Sequence, residues 1–548
     1  MNRERTVLLL VILALLILVP RYHFLGLGLD ARRLSDTNLV PTTLGFLSHA
    51  SSGTLGDFYR DDHKYPLLGA YLLVPPVAAY YAYERAVGVY ESPQDFLEAY
   101  VLRETTLYFF VQWFMMLVNL FSIALFAFVA YRFTVGSKEK AMLLALLFAG
   151  MSPYLLFFSV TPRIHSFAFL FGVIALWASL QLLKNKSLFT YVCAFGAAAL
   201  CVSIGQNGIP AFILPFAAHF FDRGRGIFTV RKKVFDNKLV FGLLFACALA
   251  LIVGYPSLFA NFLSGDSLTH GLMSGKHPTP IPSLSGVWLL FGHIFFDAEI
   301  AATWLIACAL ILWVVKRFRP DAEEKLALFH IAAYIVVFAP IGWIVSGYFS
   351  IAVLPSVFFL GVRFSLRLVR EKGVRVVLCG LVLVQLLGIV LYTRAARGGD
   401  TVDQAASYLQ SHTTADETIL GSFDHHMLAI ALEPGDIPED AVGTDAAVRE
   451  HNLTGSHTRN FQLRSDLDSM SLRELREYDW VLTEEWFDSE ILRKKLHEAG
   501  FAEAVVFVSH APSVPFNPEL FTSPTVLGFH ELFATYRSGP SITIYRRD

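Results

Sequence analysis

Apolar residues in this chain come in long, nearly unbroken runs, not in the alternation of a half-buried sheet. Runs lie near 6–20, 106–131, 140–159, 166–183, 188–204, 209–221, 239–256, 299–315, 326–346, 348–366 and 374–392. A bilayer core of about 30 Å takes about 20 residues of helix, and irregular backbone cannot face lipid. The pattern therefore predicts a polytopic α-helical membrane protein with about eleven crossing helices. The shortest runs, 188–204 and 209–221, hinge at Gly205-Gln206-Asn207-Gly208. A further apolar run, 66–83, carries Pro75-Pro76 at its middle. That pair predicts a broken interfacial or re-entrant helix instead of a straight span. An interfacial helix is likewise expected before Asp297.

Lysine and arginine between the runs give the sidedness, since they collect in cytoplasmic loops. They gather at 132–140, 184–187, 222–238, 316–325 and 363–375. An even number of crossings must separate these loops, which excludes 66–83 as a span. The first run follows Met-Asn-Arg-Glu-Arg and has no small-residue cleavage site after it, so it reads as an uncleaved helix with its N-terminus inside. Arg21-Tyr22-His23 reads as an interfacial anchor, and His219 and His330 also read as interfacial. The outer face of this cell-membrane protein then receives loop 21–105, loop 160–165, loop 257–298 and everything after Tyr392.

After Tyr392 the pattern changes. Thr418–Ser422, Tyr478–Thr483, Ala504–Ser509 and Ser541–Arg546 read as short strands. Val402–Gln410, Ser471–Arg476 and Asp488–Ala499 read as helices, the last ending at Gly500 as a C-cap. Strands alternating with helices predict a C-terminal soluble α/β domain, extracytoplasmic, over 393–548, beside a membrane domain over 1–392.

Composition sharpens this division. Of 548 residues, 55% are hydrophobic and only 16% charged, which excludes an ordinary cytosolic enzyme. The net charge of −2 conceals two populations. Thr393–Asp548 holds 13 Lys+Arg against 25 Asp+Glu, a net of −12, leaving 31 against 21, a net of +10, before it. No nucleic-acid partner is expected. The five cysteines all lie inside apolar runs, form no CxxC pair, and read as small core hydrophobes.

The outward loops carry the candidate chemistry. The first holds Asp30, Asp36, Asp57, Asp61, Asp62, His63 and Lys64. Asp36, in the turn-like Leu34-Ser-Asp-Thr-Asn-Leu39, is a candidate general base. The alternative is a solvated loop whose acids make Asx turns and caps. In Ser159-Val-Thr-Pro-Arg-Ile-His-Ser166, Thr161 reads as an N-cap and Pro162 as the first helical residue. Arg163 would then join a helix N-terminus as a phosphate site, or else snorkel to headgroups. The third loop holds His270, Lys276 and His277, cations that run against the inside-positive bias and suggest contact with an anion or a metal. His425-His426 and Asp424 read as surface residues.

Read in order, Ser35-Asp36-Thr37, Gly56-Asp57-Phe58, Lys64-Tyr65-Pro66-Leu67, Thr161-Pro162-Arg163-Ile164-His165 and Gly347-Tyr-Phe-Ser-Ile-Ala-Val-Leu-Pro355 resemble a known pattern. They are similar to motifs of the GT-C glycosyltransferases, in the protein O-mannosyltransferase and aminoarabinose-transferase group (family 39-like), over about residues 1–392. Thr37 stands where that group has a second acid, and Tyr65 where it has proline. Arg163 and His165 occupy a loop that in relatives often carries an Asp. The resemblance implies transfer of a sugar from a polyprenyl-phosphate donor, such as dolichyl phosphate mannose, to an acceptor hydroxyl, with inversion. The acceptor would be a protein or glycolipid on the outer face. Carried over by position, Asp36 is the base, with Asp30 as the fallback. Lys64, carried over likewise, would contact the donor phosphate; Arg163 and Lys276 or His277 are expected around it from their charge, with Asp61, Asp62, His63 and His165 as further candidates. The resemblance also makes a divalent cation a candidate cofactor. A transporter or flippase, and a non-catalytic anchor for an outer binding domain, are the alternatives from other classes. No internal repeat favours the transporter.

Overall fold

The structure is a computed structural model that describes residues 3–25, 39–60, 66–93, 95–96, 105–134, 136–221, 236–256, 299–314, 319–338, 351–368, 372–398, 401–414, 417–422, 461–464, 467–484, 489–508 and 541–547. Helix α1 (Arg3–Phe24) is followed by α2 (Leu39–Ser52), α3 (Leu55–Arg60) and α4 (Leu68–Ala86). Then come α5 (Thr105–Phe133), α6 (Lys138–Gly150), α7 (Pro153–Phe157), α8 (His165–Lys184), α9 (Leu188–Ile204) and α10 (Ile213–Phe220). Helix α11 (Asn237–Leu249) runs into a π turn, Ala250–Gly254, and α12 (Ile300–Val314), α13 (Ala322–Phe338), α14 (Leu354–Leu368) and α15 (Lys372–Arg397) follow.

A helix stands in each of the eleven apolar runs. Among the described residues, five helices, over Glu4–Phe24, Thr106–Phe133, His165–Lys184, Asn237–Gly254 and Arg375–Arg397, are long and apolar enough to cross a membrane. Their outward faces stay greasy: Leu8, Phe121, Leu244 and Leu383 are each at least 60% exposed. Such a surface suits hydrocarbon and not water, which places the chain in a membrane. The interior is built around α8, which packs against α5, α9 and α10, with α14 closing over it.

Helix α4 is continuous through Pro75-Pro76, contrary to the expected break. The prolines forfeit hydrogen bonds to the carbonyls of Tyr71 and Leu72, yet Leu73 and Val77 on either side are fully buried and hold the helix in place. Helix α1 likewise runs through Pro20 to Phe24. Arg21 is therefore no interfacial anchor. It is fully buried, and its Nη1 donates to the carbonyls of Ile17 and Gly150 at 3.0 Å each. His219 and His330 are buried too, because each ring meets a hydroxyl on a neighbouring helix. His219 pairs with Tyr191, and His330 Nδ1 lies 2.8 Å from Ser356 Oγ. Of the cysteines only Cys201 is buried; Cys193, Cys247 and Cys379 are exposed on the apolar outside. Their long runs face lipid as well as core, so an apolar neighbourhood in sequence does not place a thiol inside. The interfacial helix expected before Asp297 lies outside the described residues.

The helix ends next to the basic loops meet at one end of the bundle. Arg363 on α14 donates to the Phe133 carbonyl at the end of α5 (2.6 Å), to Glu323 (2.5 Å), to Glu324 (3.3 Å) and to Asp321 at the start of α13. Lys184, ending α8, sits over the Phe133 ring with 3.8 Å to its centroid. Lys186 donates to the carbonyls of His219 and Phe221, and Lys238 to that of Lys186. Every one of the five basic loops is therefore represented at this end, hereafter the basic end.

Residues 401–547 carry α16 (Thr401–His412), β1 (Ile419–Ser422), β2 (Phe461–Arg464), α17 (Leu472–Leu475), β3 (Trp480–Glu484), α18 (Glu490–Ala499), β4 (Phe501–Phe507) and β5 (Ile542–Arg547). The strands form one sheet in the order β2-β1-β3-β5-β4, parallel at β2-β1-β3 and antiparallel at β3-β5-β4. Ile419, Trp480, Leu482 and Ile544 build its core with Ala405 and Leu409 of α16. Gly500 closes α18 in the left-handed region, φ 92°, which a side chain would strain.

Candidate functional site

Away from the basic end, five element ends converge. The N–H of Leu39, the first residue of α2, donates to the carbonyl of Pro162 at 3.0 Å. Thr43 Oγ1 donates to Leu39 O (2.8 Å) and lies 3.2 Å from Ala70 O, fastening α2 to the first turn of α4. Gly69 in that turn makes the approach possible: a Cβ there would lie 3.1 Å from Leu39 and 3.6 Å from Ile164. Just ahead of α4, Leu67 N–H donates to Gly254 O at 2.9 Å, at the end of the π turn. Gly254 in turn lies so close to Ser203 near the end of α9 that a Cβ would fall 2.7 Å from its hydroxyl. The starts of α2, α4 and α8 and the ends of α9 and α11 thus share one neighbourhood. The four stretches that carry the candidate charges, 26–38, 61–65, 159–165 and 257–298, lead directly into or out of these ends.

Arg163 and His165 are the sequence-predicted site residues that fall among the described ones. Both are buried, 3% and 2% exposed, so Arg163 does not snorkel to a headgroup region. The local fold differs from the capped helix start expected here. Helix α8 begins at His165, not at Pro162, and its N-cap residue Ile164 makes no side-chain cap bond. Thr161 instead turns its hydroxyl back toward Phe158 O at 3.4 Å, and Arg163 N–H donates to Thr161 O at 2.7 Å. That tight turn consumes the donor a Thr161 cap would have used. Ser166 Oγ also bonds to Phe158 O, at 3.0 Å, which fixes the helix start. The His165 ring packs on Phe158 with centroids 4.1 Å apart. The result is a guanidinium and an imidazole two residues apart on a rigid loop. A planar guanidinium is the side chain best matched to a phosphate. Asp30, Asp36, Asp61, Asp62, His63, Lys64, Lys276 and His277 lie outside the described residues.

An aromatic cluster joins α2, α3 and α4. Phe46 meets Phe58 and Tyr71 edge-on at 5.5 and 5.3 Å. Burial, together with the neighbouring Tyr59 phenol, raises Tyr71 well above the usual tyrosine range, so it remains a neutral hydroxyl. Asp57, an acid of the first loop, is exposed in the first turn of α3.

A second polar node, missed by sequence reasoning, gathers around residues 150–152. Arg21 binds Gly150 O, Gln385 Nε2 donates to Met151 O at 2.8 Å, and Ser152 Oγ donates to Glu299. Arg21 Nε also donates to Asn119 Oδ1 at 3.3 Å. The available signal was polarity inside apolar runs: Asn119 and Gln385 each interrupt one. Among the described residues, no group of three or more His, Cys, Asp or Glu is placed to hold a metal ion.

No family model matches this chain, and no curated protein matches it. Among solved structures it is similar to the crystal structure of ArnT from Cupriavidus metallidurans in the apo state. That similarity has a TM-score of 0.46 and 12% sequence identity, and it covers 84% of this chain and 92% of the other.

Proposed function

We propose that this chain is a membrane glycosyltransferase of GT-C type, moving a sugar from a polyprenyl-phosphate carrier to an acceptor hydroxyl with inversion. The observation that carries this reading is the Leu39 N–H to Pro162 O bond of 3.0 Å. It ties the segment of Asp30 and Asp36 to the loop of Arg163 and His165. Asp36 stands three residues before Leu39, so the covalent chain keeps it within about 11 Å of that bond's donor residue. Lys64 stands in the same relation to Leu67, which is bonded to Gly254, and the chain beyond Gly254 leads to Lys276 and His277. Asp36 and Lys64 thus stand within three residues of bonds that join these element ends, which supports a carboxylate base and a cation near Arg163; Lys276 and His277, 22 and 23 residues beyond Gly254, enter as part of the proposal.

In the reaction, the acceptor oxygen forms a bond to the anomeric carbon on the face opposite the carrier. The bond from that carbon to the phosphate oxygen breaks, and polyprenyl phosphate leaves. Asp36 takes the acceptor proton, with Asp30 as the alternative base. Arg163, Lys64 and Lys276 or His277 stabilise the charge growing on the phosphate oxygen. His165 and the Asp61-Asp62-His63 stretch border the site. A divalent cation, when bound, supplies positive charge to the same phosphate. The proposal includes eleven crossings with the N-terminus inside, an outer active site, and residues 393–548 outside, where they contact a protein or glycolipid acceptor.

The test is sugar transfer by the full chain in vesicles supplied with a labelled polyprenyl-phosphate sugar. Asp36→Asn lowers transfer by about 10²-fold or more, and Arg163→Ala by about 10²–10³-fold. Undiminished transfer by Asp36→Asn removes it as base, and loss in Asp30→Asn alone moves the role there. Solute transport without any transfer sinks the enzymatic reading.

A further inference from the structure

The loop of Arg163 and His165 hangs on the short helix α7. That helix opens at Ser152, whose Oγ accepts from the Leu155 N–H at 3.1 Å. Its last turn holds the loop in place. Ser159 Oγ donates to Leu156 O at 2.6 Å, and the hydroxyls of Thr161 and Ser166 both turn to Phe158 O. Whatever orients α7 therefore orients Arg163 and His165.

A carboxyl group does so. The Ser152 hydroxyl donates to Glu299, which is 1% exposed and stands between the stretch 257–298 and the first residue of α12. The second Glu299 oxygen lies 3.4 Å from Gln385 Nε2 on α15. The same amide donates to Met151 O at 2.8 Å, and its oxygen accepts from the Ala301 N–H at 3.4 Å. Glu299 and Gln385 thus grip the corner between α6 and α7 from α12 and α15. An apolar residue would fill the place of Glu299 without the cost of burying a carboxyl. What the carboxyl adds is direction, because it ties a hydroxyl and an amide from two separate elements into one network.

We propose that Glu299 is a positioning residue of the transfer reaction, acting through Ser152 and α7 to set where Arg163 and His165 stand. The same bond joins the second outer loop to the end of the third. This role rests on the glycosyltransferase reading. Glu299 itself meets Ser152 and Gln385, and the groups it orients are the ones that meet the donor.

The test pairs donor kinetics with hydrogen exchange, both on the full chain in vesicles. Glu299→Ala lowers kcat about 10-fold or more with the donor KM little changed, since a displaced guanidinium fails chiefly the charge that grows in the transition state. Exchange over 153–166 quickens about 5–10-fold, as the loss of one anchoring hydrogen bond allows, while exchange over 322–338 at the basic end stays as in the wild type. Glu299→Gln, whose amide oxygen still accepts from Ser152, recovers most of both losses. Ser152→Ala reproduces them, and the double variant Ser152→Ala with Glu299→Ala is no worse than either alone, as members of one network behave. Should Glu299→Ala fail to fold, Ser152→Ala is read in its place. Undiminished kcat in a variant whose 153–166 exchange has quickened overturns the proposal. So does quickening that is equal over 153–166 and 322–338, which marks a general loss of stability. A wild type that transfers no sugar overturns the glycosyltransferase reading itself, whereas an active wild type matched by an equally active Glu299→Ala overturns this role alone.

Discussion

Two arginines buried at opposite ends of the helical bundle are accommodated in opposite ways. Arg363 meets three carboxylates, Asp321, Glu323 and Glu324, together with the Phe133 carbonyl. Arg21 meets neutral oxygens, those of Ile17, Gly150 and Asn119, and its Nη2 makes no hydrogen bond. At the basic end the charge is cancelled and acts as a clamp between α5, α13 and α14. Near Arg21 it is solvated by dipoles, which satisfy hydrogen bonds and leave the positive potential standing. Phe24, Leu156 and Val160 pack in one cluster beside Arg21, so this potential lies next to the loop of Arg163 and His165. Charge is thus cancelled at one end of the bundle, where it joins helices, and held by dipoles at the other, beside the loop of Arg163 and His165.

The largest effect is expected from breaking the clamp. Arg363→Met leaves Glu323 and Glu324, 7% and 0% exposed, without their central partner. Stranding buried charges costs about 3–5 kcal/mol, lowered here because Arg367 still holds Glu324 at 2.5 Å. Adding Glu323→Gln and Glu324→Gln recovers most of the loss, since the stranded charge is then gone. Thermal unfolding of the purified full chain reads both. An Arg363→Met protein that melts like the wild type would show that the clamp holds nothing.

Arg21→Met sharpens the contrast from the other side. It removes hydrogen bonds to carbonyls and to Asn119 but strands no charge, so it costs less, about 1–3 kcal/mol. Arg21→Lys retains the charge while losing the fork that spans α1, α5 and α6. In the vesicle assay, Arg21→Met lowers sugar transfer more than Arg21→Lys does, because potential and not packing differs between them. Equal transfer by the two variants, or a stability loss matching that of Arg363→Met, breaks the comparison.

The same distinction explains what was legible in the sequence. Apolar runs follow from chain chemistry alone, so helices stand in all eleven of them, and four of the strands with Gly500 fall where turn and pattern signals put them. Strand β2, only Phe461–Arg464, takes its order from pairing with β1 at the sheet edge, which no local pattern announces. Arg21 looks like an anchor because its burial depends on Asn119, 98 residues away, and Gly150, 129 away. Thr161-Pro162 has the letters of a capped start, but the Arg163–Thr161 and Leu39–Pro162 bonds compete for that turn and win. Of the candidate site, sequence located the loops; the convergence of their ends is a product of the tertiary fold.

The smallest effect belongs to a third arginine, paired like Arg363 but wet. Arg547 lies 2.7 Å from Asp479, their side chains 33% and 32% exposed. Asp479 also accepts from the Thr418 N–H and hydroxyl at 2.9 and 3.0 Å. Burial works to raise its pKa, but the bonds from Thr418 and the Arg547 charge outweigh it, so the net shift is downward. A carboxylate with a lowered folded pKa contributes stability that is complete above the unfolded value, about 3.9, and is lost as pH falls through the folded one. Asp479→Asn is therefore expected to cost about 1 kcal/mol or less near neutral pH, with the deficit shrinking below about pH 4. Hydrogen exchange at the β1 and β3 amides of the full chain measures it. A deficit unchanged at the lowest pH would assign the effect to hydrogen-bond geometry instead of charge. A deficit as large as that of Arg363→Met would make pairing, and not burial, the quantity that separates the two ends of the bundle.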